Sequence, residues 1–230
     1  MIICKNCRHE YELKYCNTCG QAASMNGRLE APDLAKDIFH SIFHTGSGFT
    51  FTISRLFTEP EVVLRGYIGG QRKIYFSPIK LFLVCSVVFL TVKHYVDLRH
   101  PVVNVESFTY FVEHYKYLFI FSGVFLTALL NYAFFRSYRL SFTEHFVAAM
   151  FIRSMLYLIE TMFILLNQVV ALPMIIVGLV ACIFYYVWAF TRYYSEGNSY
   201  KMAIANLGIY TIAQLLFVAP FVLLNFNPTK

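Results

Sequence analysis

The chain has 230 residues, of which 58% are apolar and 14% charged, and its net charge is +6. Soluble domains are nearer about a quarter charged, so this composition excludes a mostly water-facing surface. Nine of the nineteen Lys and Arg precede Ser77, which reads as a short polar head followed by a membrane body.

In chain order, Met1-Ile2-Ile3-Cys4-Lys5 runs straight into a cysteine motif with no long apolar stretch. The first span is therefore expected to act as an uncleaved insertion signal. Cys4-Lys5-Asn6-Cys7 and Cys16-Asn17-Thr18-Cys19 form two C-x-x-C pairs separated by eight residues. Two such knuckles point to a tetrahedral zinc site, closed by four thiolates and so structural rather than catalytic. Gly20 follows the second pair, where a tight turn needs a residue tolerant of positive φ. Disulfides are disfavoured in a reducing compartment, and thiol exchange would need a thioredoxin-like βαβ unit that the pattern lacks. Residues 1–23 are thus read as a zinc knuckle.

Residues 24–74 are read as a linker, with Asn26-Gly27 and Pro32, followed by amphipathic interfacial helices. One is expected over 33–44, where Leu34, Ile38 and Ile42 recur every four residues, ending at Gly46-Ser47-Gly48. A second starts at Glu59-Pro60 and stops at Gly69-Gly70. Both are too short to span and are expected at the headgroup level.

A bilayer core of ~30 Å needs ~20 mostly apolar helical residues. Residues 75–230 supply about five such stretches, at about Tyr75–Val92, Tyr117–Phe135, Phe146–Leu166, Leu172–Phe190 and Met202–Leu224. Ser141-Phe142-Thr143-Glu144 fits a capping box ahead of the third, and the third and fourth form an antiparallel hairpin. With the knuckle inside, fourteen Lys or Arg fall on the cytoplasmic side and four (Lys93, Arg99, Lys116, Lys230) outside. That bias agrees with the positive-inside rule and predicts a cytoplasmic N-terminus. The fold class is an all-α membrane protein: a helical transmembrane bundle with an N-terminal four-cysteine zinc knuckle and amphipathic juxtamembrane helices.

Several motifs together carry a resemblance. Cys19-Gly20-Gln21 ends the knuckle, with His44 and Thr52 further on. Glu59-Pro60, Tyr67-Ile68-Gly69-Gly70-Gln71-Arg72-Lys73-Ile74-Tyr75 and Ser77-Pro78 lead to the first span. Phe142-Thr143-Glu144-His145-Phe146 opens the third, and an aromatic run from Tyr185 to Tyr194 closes the fourth. This pattern resembles the bacterial membrane family catalogued as domain-of-unknown-function family 3667. Pro60-Glu61 and Gly70-Gln71-Arg72 stand where that family has proline-glycine and glycine-lysine-arginine, so the resemblance is to a divergent member. It implies the architecture and a bacterial inner-membrane location, and it brings no activity with it.

Charges inside spans are functional candidates by default. Arg153, Glu160 and Asn167 lie seven residues apart on one face of the third span, with Tyr157 beside them. Asn206, Tyr210 and Gln214 make a similar stripe on the fifth. Both stripes are also explained as polar glue between helices. Arg65, Arg72, Lys73 and Lys80, flanked by Tyr67 and Tyr75, read as a positive-inside anchor or a site for an anionic lipid headgroup or phosphate. Glu144 and His145 could do proton chemistry at the mouth of the third span, and His40 with His44 could contribute to a metal site.

These readings favour a non-enzymatic protein: a transport or channel-like component, or an accessory whose knuckle docks a protein partner. The alternative is an interfacial or intramembrane enzyme acting on a lipid or phosphorylated lipid. The implied cofactor is zinc and the implied surroundings are the lipid bilayer. No nucleic-acid partner is expected, and self-association is compatible with the pattern.

Overall fold

The computed structural model describes residues 1–27, 29, 48–99, 121–170, 173–194 and 199–225. The helix expected over 33–44, with His40 and His44, lies outside these residues. A small head comes first: β1 (Ile2–Ile3) pairs antiparallel with β2 (Glu10–Tyr11), and a 3-10 turn covers Ala23–Asn26. Two short helices follow, α1 (Phe49–Thr58) and α2 (Pro60–Ile68). The bundle consists of α3 (Pro78–Arg99), α4 (Phe121–Phe134), α5 (Phe142–Leu166), α6 (Met174–Tyr194) and α7 (Ser199–Asn225).

Among the described residues, α3, α5 and α6 are the 3 helices long and apolar enough to cross a membrane. The second expected span falls on α4, a shorter apolar helix, and the fifth on α7. Packing gives the helices alternating directions. His145 meets Tyr194 at one end of the α5–α6 hairpin, and Phe163 packs on Gly178 at the other. A Cβ on Gly178 would stand 2.7 Å from that of Phe163, so glycine permits this close crossing. Asn206 reaches Thr191 and Tyr210 packs at a tilt against Tyr186, so α7 runs antiparallel to α6. Tyr132 lies against His145 and Gly123 near Arg153, so α4 runs antiparallel to α5.

Helix α5 is the pillar of the bundle, contacting α1, α2, α3 and α6. Its residues are accordingly buried around most of its circumference, from Val147 and Ala148 through Met155 and Leu156. The capping box forms: Ser141 Oγ accepts from the Glu144 N–H, and a Glu144 carboxylate oxygen accepts from the Ser141 N–H at 2.7 Å.

Two sequence expectations change. Helix α1 occupies residues between the two expected amphipathic helices, where the sequence pattern assigned no element. Its Thr52, Ile53 and Leu56 share one face, and Thr52 and Leu56 are fully buried. Helix α2 turns Val63, Leu64 and Tyr67 into the main core and leaves Val62 exposed. Tyr67 meets Phe151 edge-on at 5.4 Å and is 1% exposed, so it is a core residue rather than a headgroup anchor.

Candidate functional site

The two knuckles repeat one backbone design. Arg8 N–H donates to Cys4 O and Gly20 N–H to Cys16 O, both at 2.8 Å. Cys4 N–H donates to His9 O at 2.9 Å, and Cys16 N–H to Gln21 O at 2.8 Å. The residue after each second cysteine is left-handed, Arg8 at φ 62° and Gly20 at φ 72°. Glycine adopts this readily, whereas Arg8 holds it without that freedom.

This repeat brings Cys4, Cys7, Cys16 and Cys19 into one cluster, with all four sulfurs within 4.8 Å of one another. Cys4 Sγ lies 3.6 Å from Cys19 Sγ, and Cys7 Sγ 3.5 Å from Cys16 Sγ. Tetrahedral ligands at ~2.3 Å from a metal would stand ~3.8 Å apart, so the spacing fits a four-thiolate centre. No disulfide joins them. Burial pushes the Cys16 thiol up, but backbone N–H groups of Cys19 and Thr18 point at its sulfur and bring it down to about 6. Cys7 moves the other way, to about 12. The His9 N–H lowers it, but burial and the neighbouring thiols prevail. Such a crowd of sulfurs cannot all ionise without a cation among them.

The head is latched onto the loop that follows α2. Gln21, 1% exposed, donates from its amide to Gly70 O at 2.8 Å. Its Oε1 accepts from the Arg72 and Lys73 N–H groups, each at 3.2 Å. Asn6 Oδ1 accepts from Ile74 N–H at 3.0 Å, and Arg72 Nη2 donates to Gly27 O at 3.2 Å. Asn26 ties the head together, accepting from Lys5 N–H and from Gln21, and donating to the Tyr11 hydroxyl. Gly70 has φ +107°, and a Cβ there would press on Met25 O, Asn26 O and Lys5 Cβ at 3.2–3.3 Å. Only glycine fits both the conformation and the close approach.

This latch redistributes the expected basic group. Arg72 is buried against the head, while Lys73 is exposed. Arg65 donates to Tyr193 O at 2.9 Å, and Lys80 sits 5.9 Å over the Phe76 ring. Tyr75 is buried beside Phe51, and burial raises its hydroxyl pKa. These residues therefore do not form one open headgroup site.

In the bundle, the polar stripes of α5 and α7 converge. Arg153, Tyr210 and Gln214 line one cavity with Tyr186 and Thr127, while the Arg153 guanidinium lies 5.0 Å over the Tyr157 ring. Asn206 is fully buried and donates to Thr191 Oγ1 at 3.3 Å. Glu160 and Asn167 are half-buried further along α5, Asn167 closing the helix. Glu144 is committed to the capping box. Its neighbour His145 is fully buried and shares a 2.7 Å hydrogen bond through Nδ1 with the Tyr194 hydroxyl, while Nε2 has no partner.

Sequence reading missed the latch residues Asn6, Gln21 and Asn26, as well as Thr127, Tyr186 and Tyr194. Gln21 carried a usable signal, since an amide directly after Cys19-Gly20 can serve the turn. The others depend on contacts between residues distant in sequence. No curated protein and no solved structure matches the chain. Residues 47–90, which hold α1, α2, the latch loop and the first half of α3, match the family model described as Protein of unknown function (DUF3667).

Proposed function

We propose that this chain is a multi-pass inner-membrane protein of about five spans, with one structural zinc in a cytoplasmic head. Its role is non-enzymatic, as a transport or channel-like component or as an accessory that binds a protein partner. The carrying observation is the closed four-sulfur cluster latched by Gln21 onto the segment that carries the family match. All four ligand positions would be thiolates, which leaves no open position for catalysis. Zinc is favoured because it takes tetrahedral thiolate sites without redox chemistry, and bound zinc would supply folding energy that so small an apolar core lacks.

Charge supports the orientation. Glu61 pairs with Arg192 at 2.7 Å, and Arg65 bonds Tyr193 O, which brings basic residues of α2 and α6 to the end that carries the head. Alternating helix directions support the span count, with α4 and α6 running toward that end and α5 and α7 away from it. The alternative, an interfacial enzyme acting on a lipid, draws on one observation: the unpartnered Nε2 of buried His145 beside the Tyr194 hydroxyl.

Metal analysis of the purified full chain tests the reading. It expects one zinc per chain, lost in Cys16→Ser. No metal in the wild type, or iron with visible absorbance, contradicts it. For orientation, reporters fused to the two termini should sit on opposite sides, with the N-terminal one cytoplasmic.

A further inference from the structure

The cavity at Arg153 lies among α4, α5, α6 and α7 and is lined by Thr127, Arg153, Tyr186, Tyr210 and Gln214, with Ala149, Ile152, Leu156 and Ala213 completing its wall. About 20 Å³ is open to the centres of water-sized molecules, enough for one small occupant. Arg153 brings a permanent cation to a wall otherwise apolar or neutral, and such a charge inside a bundle requires a counter-charge or a dense set of hydrogen bonds. The Tyr157 ring covers one face of its guanidinium at 5.0 Å, which leaves its N–H edges for other partners, and Nε has none among the described residues.

The neighbouring polar groups are biased toward donation. The Tyr186 hydroxyl already accepts from Asn131 Nδ2 at 3.5 Å, so its own proton is free to be given. Tyr210 and Gln214 add a second hydroxyl and an amide from α7. Among the described residues, no carboxylate lines the cavity. Glu160 stands two turns along α5, ~10 Å away on the axis, and makes no ion pair with Arg153 among the described residues.

We propose that the Arg153 cavity binds one small monovalent anion of halide size, held by the guanidinium, the Tyr186 and Tyr210 hydroxyls and the Gln214 amide. A halide is little larger than the water-sized space, and three helices each contribute a donor. Polyatomic phosphate is too large. The site goes beyond the zinc reading and does not depend on it.

The test uses the purified full chain in gluconate buffer at constant ionic strength, with chloride or bromide as probe. A saturable rise in melting temperature of a few degrees is expected as chloride replaces gluconate, with no rise for phosphate. Bromide should give anomalous density within the cavity. Tyr210→Phe should raise the half-effect concentration about tenfold, because it removes one hydrogen bond to a charged ligand. Arg153→Gln should abolish the response; should that variant fail to fold, Tyr210→Phe and Gln214→Leu carry the test alone. Cys16→Ser should keep the halide response, which separates this proposal from the metal reading. No chloride response, or the same response in wild type, Tyr210→Phe and Gln214→Leu, overturns it and leaves water as the occupant.

Discussion

The head and the bundle are built from opposite materials. Among the described residues of the head, the buried apolar cluster is Cys4, Tyr11 and Cys16, and order comes from four sulfurs and a web of backbone and amide hydrogen bonds. In the bundle, order comes from packed rings and aliphatic chains: Phe135 stacks on Tyr194 at 4.0 Å, Phe89 on Tyr157 at 4.9 Å, and Phe82 is fully buried between its neighbours. On the proposed function, the head would be held by a metal shared among its cysteines, whereas the bundle would be held by its own packing within lipid. The Gln21 latch joins them, and it is polar because the head has little apolar surface to offer.

The sharpest way to break this comparison is to remove a ligand. Cys16→Ser should eliminate metal binding and unfold the head, a loss on the order of 10 kcal/mol of metal-dependent folding energy. Far-UV circular dichroism should hardly change, because the helices lie elsewhere. Acidification acts in the same direction, since protons compete with metal for the thiolates. Cys16, lowered to about 6, keeps its charge to lower pH than an ordinary thiol.

Next in size is the intramembrane charge. Arg153→Met should destabilise the bundle by ~3 kcal/mol, because it removes the buried cation over the Tyr157 ring together with its longer-range attraction to Glu160. Arg153→Met with Glu160→Leu should recover part of that loss, as read by thermal unfolding in detergent. Equal losses for the single and double variants would show that the two charges are uncoupled. Gln21→Ala should cost ~2 kcal/mol at the latch, because it leaves the Arg72 and Lys73 N–H groups without their acceptor. Metal content should stay intact while the head becomes cleavable near Asn26-Gly27. The smallest effect belongs to Arg55→Ala. Its ion pair with Glu59 is half-exposed, so the change in melting should correspond to ~0.3 kcal/mol.

The two regions also differ in how far the sequence reveals them. C-x-x-C spacing specifies the cysteine cluster because sulfur geometry is local and the loop between the pairs is short. The α5 start was legible from Ser141 and Glu144, and the α5–α6 hairpin from two apolar runs across a short turn. Helix α1 was not, since its Phe and Thr residues suit a strand as well as a helix and only packing against α5 decides. The burial of Tyr67, Tyr75 and Arg72 was equally hidden: an aromatic or basic residue near a span reads as an interface anchor until a second element covers it. Here the head covers Arg72, while α5 covers Tyr67. The pairing of His145 with Tyr194 spans 49 residues, and no local pattern announces it.

Amide hydrogen exchange on the full chain, with and without a chelator, tests most directly whether a metal-held head is latched to a separately stable bundle. The amides of Arg72, Lys73 and Ile74 donate to Gln21 and Asn6, so they report the latch itself. Chelation should speed exchange in the head and at these three amides together, while Phe142–Leu166 stays protected. Unchanged protection at Arg72, Lys73 and Ile74, or loss of protection throughout α5, would contradict it.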